Sequence, residues 1–119
     1  MKLLQKILVP TDFHGSANHS VEMAIDMAKK FDSEIILLHV LTDNPDLSQY
    51  ESMITKEVER QLQAVRSKIN DSGIEKVTEA VRKGSKFTEI NKFASEREVN
   101  IILMGSGERI GTGKPEIGI

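Results

Sequence analysis

Ile7-Leu8-Val9-Pro10-Thr11-Asp12 is the stretch that decides the fold. A short aliphatic run stops on a proline and a carboxylate, the pattern of a buried strand closed by turn residues. A second run, Ile101-Ile102-Leu103-Met104, stops on Gly105-Ser106-Gly107. Two more strands are expected between them, over Glu34–Val40 and over the more polar Lys76–Lys83, which suits a sheet edge. In a parallel sheet, the acid and the glycine turn lie along one edge, beside the crevice where such folds take ligands.

The segments between the strands read as helices. Val21, Ala24, Ile25, Ala28 and Phe31 recur at helical spacing behind Ser16, a candidate cap. Asn44-Pro45-Asp46 marks a loop. A long helix over about 49–70 follows, with the stripe Tyr50, Met53, Ile54, Val58, Leu62, Val65 and Ile69, ended by Gly73. A last helix starts at Gly84-Ser85 and points Phe87, Ile90 and Ala94 inward. The alternation βαβαβαβ predicts an α/β, doubly wound, Rossmann-like parallel sheet. The tail after Gly105 shows no helix, so the sequence reads as a single domain over 1–119, cut short of its natural fold.

Composition sets the functional bounds. The 119 residues are 39% hydrophobic and 29% charged, enough apolar content for one aliphatic core. A net charge of -2 gives no general attraction to nucleic acid or anionic membrane. No run approaches the length of a membrane span. Cysteine is absent, which removes disulfides, thiolate metal sites and a cysteine nucleophile, and suits a reducing cytoplasm, the expected compartment.

Two phosphate motifs fail on the glycine-rich end. A Walker A loop would need glycine at Glu108 and Ser or Thr at Pro115. The dinucleotide fingerprint starts at Gly105-x-Gly107 but meets Ile110, with Gly111 one residue late.

The chain resembles the universal stress protein family from Lys6 to Ile119. The resemblance is carried by Lys6-Ile7-Leu8-Val9-Pro10-Thr11-Asp12-Phe13, by Ala28-Lys29-Lys30-Phe31 ahead of Ile35–Val40, and by Val99-Asn100-Ile101-Ile102-Leu103-Met104-Gly105-Ser106. It implies strand order 3-2-1-4-5, of which this chain would hold 3-2-1-4 with the fifth strand missing. It also implies a regulatory or stress-response module and a homodimer. Binding members hold ATP or another adenine nucleotide, with Mg2+ arriving only with the nucleotide. By resemblance, Asp12, beside Pro10 and Thr11, would contact ribose or adenine, and the Val40 backbone would meet adenine. The family's Gly-x2-Gly-x9-Gly-Ser/Thr motif lays Gly105 and Gly118 on its first and third glycines, with Ser106 and Gly107 between them. Glu108 and Ile119 take the other two positions. A carboxylate about 4 Å from phosphate repels it by roughly 1 kcal/mol in water and about 4 at an intermediate dielectric.

Alternatives stand beside each assignment. Asp12 is a ligand carboxylate or a turn cap. The glycines after Met104 are a phosphate loop or a plain tail. Met23, Met27 and Met53 read as core filler, and His39 as a hydrogen-bonded residue of a buried strand. His14 and His19 are five apart, which does not stack on a helix face. No catalytic set emerges, so the chain reads as a binding module rather than an enzyme. The second reading is a non-nucleotide member working through protein contacts, and the third is a slow ATP hydrolase.

Overall fold

The computed structural model describes residues 4–12, 15–105 and 115–118. Strands β1 (Lys6–Pro10), β2 (Glu34–Leu41), β3 (Val77–Lys83), β4 (Ile101–Gly105) and β5 (Pro115–Gly118) form one sheet of order β3-β2-β1-β4-β5. Helices α1 (Gly15–Phe31), α2 (Glu51–Asp71) and α3 (Lys86–Glu96) link the first four strands, and a 3₁₀ segment over Pro45–Tyr50 precedes α2. The pairings β1 with β2, β1 with β4 and β2 with β3 are all parallel.

Alternation along the central strands builds two cores. Ile7 and Val9 of β1, with Ile35 and Leu37 of β2, face α1 and α2, meeting Val21, Ala24 and Ile25 of the first helix and Val58, Leu62 and Ile69 of the second. Leu8, Ile36 and Leu38 face the other way, onto Ile90 and Phe93 of α3. Both faces of β1 are therefore fully covered, which is why it reads as a continuous apolar run. Burial of each such side chain stabilises by about 1.5–3 kcal/mol. The polar third strand lies at the edge of the sheet, as expected.

Helix ends follow the local chemistry. Gly73 closes α2 with φ +100°, a conformation that costs a residue with a Cβ. The Ser16 side chain, the proposed cap of α1, lies outside the described residues.

The parallel order 3-2-1-4 is as expected. The structure adds a short strand that the sequence did not suggest: β5 pairs antiparallel with β4, Leu103 against Ile117 and Met104 against Glu116. The connection over 106–114 is too short for a crossover, and a direct return permits only antiparallel pairing. One expectation is corrected. Tyr50, Met53 and Phe87, read as inward, are exposed. Met53 stands five and nine residues before Val58 and Leu62, roughly 140° and 180° around α2, so it lies on the opposite face. Tyr50 belongs to the 3₁₀ segment ahead of α2. The stripe of α3 buries Ile90 and Phe93, with Phe87 one turn too early.

Candidate functional site

The site is built where β1 and β4 end. Their register pairs Ile7 with Ile101 and Leu8 with Ile102, and both strands run on beyond these pairs. Thr11 donates its amide to the Leu38 carbonyl at 2.8 Å, toward β2. Backbone amides of a strand alternate in direction, so position 10 faces β4, and there proline has no N–H to give. The ladder between β1 and β4 thus lacks a hydrogen bond near the point where strand order reverses, the usual ligand crevice of such sheets.

Thr11 is buried and Asp12 half-buried at this rim. The His39 ring donates from Nδ1 to the Thr11 carbonyl at 2.6 Å, because a carbonyl can only accept. This matches the hydrogen-bonded role expected for His39. Val40 follows on β2, paired with Arg82, and packs against the α3-side core. Continuing the β1–β2 register from Pro10 and Leu38 sets Asp12 level with Val40. Gly105 closes β4 opposite Pro115. Pro10, Thr11, Asp12, Val40 and Gly105 therefore share the carboxyl rim. Gly118 pairs with Ile102, further back along β4. Ser106 and Gly107 lie outside the described residues, as does His14. His19 is exposed, and no cluster of three or more His, Cys, Asp or Glu fit to hold a metal occurs among the described residues.

The turn from β3 into α3 brings residues that the sequence reading passed over. Gly84 donates its amide to the Leu41 carbonyl at 2.9 Å, pinning the turn to the end of β2. Lys86, the first residue of α3, places Nζ 3.9 Å from Asp12 Oδ2 and 5.6 Å from the centre of the Phe87 ring. A cation in the first turn opposes the helix dipole, a signal that some other group holds it there. Nearby, Lys83 donates to Glu51 at 3.0 Å and lies 3.7 Å from Asp43. The hydrogen bond to Glu51 holds the ammonium above the usual lysine range.

Arranged in this way, the rim offers a carboxylate to hydroxyl donors and a strand-end backbone to a flat polar edge. The sequence profile of the universal stress protein family matches residues 4–115. The chain belongs to the universal stress protein family. Two curated members from Methanocaldococcus jannaschii are similar to it. Universal stress protein MJ0531 is 26% identical, covering 92% of this chain and 68% of that protein. Universal stress protein MJ0577 is 28% identical, covering 87% and 77%. The solved structure of MJ0577 superposes with TM-score 0.76 at 27% identity, covering 92% of this chain and 80% of that one. A universal stress protein solved in complex with cAMP shares the fold, with TM-score 0.63 at 17% identity, covering 81% and 67%. The order β3-β2-β1-β4 is thus the family's parallel core, and no helix of the described residues is long and apolar enough to cross a membrane.

Proposed function

We propose that this family member is a regulatory or stress-response module that binds an adenine nucleotide at the carboxyl rim of β1, β2 and β4. The observation that carries the reading is that Thr11-Asp12 and Gly105 lie at the carboxyl ends of the neighbouring parallel strands β1 and β4, where strand order reverses. Asp12 accepts hydrogen bonds from ribose hydroxyls, and the Val40 backbone meets the purine edge. Pro10 and Thr11 line the crevice, and Gly105, Ser106 and Gly107 approach phosphate. Mg2+ enters with the nucleotide, on its phosphates. Support also comes from family membership and from the cAMP complex of a protein of the same fold.

Calorimetry with ATP, ADP, AMP and cAMP tests the reading. Saturable binding is expected, weakened about 10- to 100-fold in Asp12→Asn, the size of a hydrogen bond to a charged group. No heat at millimolar ligand would turn the assignment to a module acting through protein contacts. That second reading is favoured by Glu108 and Ile119 at motif positions, and by the pairing of Gly118 with Ile102 inside the sheet. Under it, Glu108→Gly creates binding. The outer edge of β5 offers unpaired backbone to a second copy, and sedimentation of the chain tests the homodimer.

A further inference from the structure

Phe87 is 62% exposed, yet single exposed apolar side chains are ordinary. Its position is what informs. The Lys86 ammonium reaches both, 5.6 Å from the centre of the Phe87 ring and 3.9 Å from Asp12 Oδ2. Ring and carboxylate therefore lie within about one nucleoside's length of each other. Val40, level with Asp12 in the sheet, belongs to the strand end to which the Gly84 amide fastens the start of α3. All three features belong to the carboxyl rim.

Resting on the reading of this rim as an adenine-nucleotide site, we infer that Phe87 is the residue on which the base stacks. The purine edge meets the Val40 backbone, the ribose meets Asp12, and the purine face lies on the ring. Lys86 takes one face of that ring, and the exposed remainder suits a flat aromatic partner. Its long side chain keeps the ring beside the rim, by attraction to the π face on one side and to Asp12 on the other. Phe87 belongs to neither buried core, so its replacement leaves the fold intact.

Stacking of a base on an aromatic side chain corresponds to a roughly 5- to 150-fold change in affinity on truncation. In calorimetry on the whole chain, Phe87→Ala is expected to weaken ATP and adenosine by the same factor within that range, with an unchanged melting temperature. Phe87→Trp is expected to restore both affinities. The chain contains no tryptophan, so this variant carries a single reporter, whose emission adenosine should quench along the calorimetric isotherm. If Phe87→Ala binds both ligands as the wild type does, the inference falls and the nucleotide reading stands. The same holds if the Trp emission does not move while binding proceeds. If the wild type binds neither ligand, the site reading falls and takes the inference with it.

Discussion

Nδ1 of His39 lies 2.6 Å from the carbonyl oxygen of Thr11, so a side chain of β2 anchors the residue just before Asp12. The acceptor has no proton to give, which places one on Nδ1 and leaves Nε2 as the acceptor nitrogen of the neutral ring. Long-range proton–nitrogen correlation spectra should show the Nδ1–H tautomer for His39. An Nε2–H pattern would mean that the contact is not a hydrogen bond. His39→Ala is expected to cost about 1 kcal/mol in denaturant unfolding, and to weaken any ligand held by Asp12, because that carboxylate loses its fixed support.

Gly84 has φ +143°, a backbone state that disfavours a side chain. An added Cβ would lie 3.1 Å from Cγ of Glu89. Glu89 is a flexible surface side chain and can yield, whereas the backbone strain stays. Gly84→Ala should therefore lower stability by about 1–2 kcal/mol. Adding Glu89→Ala should recover little of it. Full recovery in the double variant would show that crowding, and not conformation, demands glycine here.

Glu57 accepts from Arg60 Nε at 3.0 Å and from Arg60 Nη2 at 2.6 Å, and Gln61 donates to it at 2.9 Å. The hydrogen bond from Arg60 is the leading cause that lowers its carboxyl from an ordinary 4.5 to about 2. A depressed carboxylate favours the folded chain above its unfolded value and loses that contribution as pH falls. The window accordingly runs from about 4.5 down to about 2. The pair is exposed, so salt screens it and the effect on stability is small. A carbon-detected carboxyl titration should place the Glu57 midpoint near 2, rising toward 4.5 in Arg60→Ala. An unmoved midpoint would remove Arg60 as the cause.

The parallel core was legible because its signals are local. Ile7-Leu8-Val9 and Ile35–Leu38 are apolar at every position, which suits strands covered on both faces, and the chain between them has helical periodicity. Asp12 and Gly105 were legible as strand-end residues for the same reason, since each stands where a buried apolar run stops. Their sharing of one rim rested on topology, and the observed order β3-β2-β1-β4 supplies it.

Phe87, Tyr50 and Met53 show where periodicity stops informing. A stripe says which side of a helix faces inward but not where the sheet beneath it ends. Phe87 lies one turn ahead of Ile90, Tyr50 lies in the 3₁₀ segment before α2, Met53 lies on the face opposite Val58 and Leu62, and all three are exposed. The strand over Pro115–Gly118 was missed because a tail rich in glycine carries no local strand signal. Its partner is β4, and pairing with a neighbour is a property of the sheet.

The amino-acid order by itself determined the central strands, the faces of the helices and the residues at which the strands halt, because burial and turn chemistry act over a few neighbours. Only the tertiary structure decided that Lys86 reaches Asp12 and that His39 holds Thr11. It also decided that β1 lies between β2 and β4, with Leu8 paired to Ile102. Those contacts join residues far apart along the chain, and distance in sequence does not encode distance in space until the sheet has been assembled.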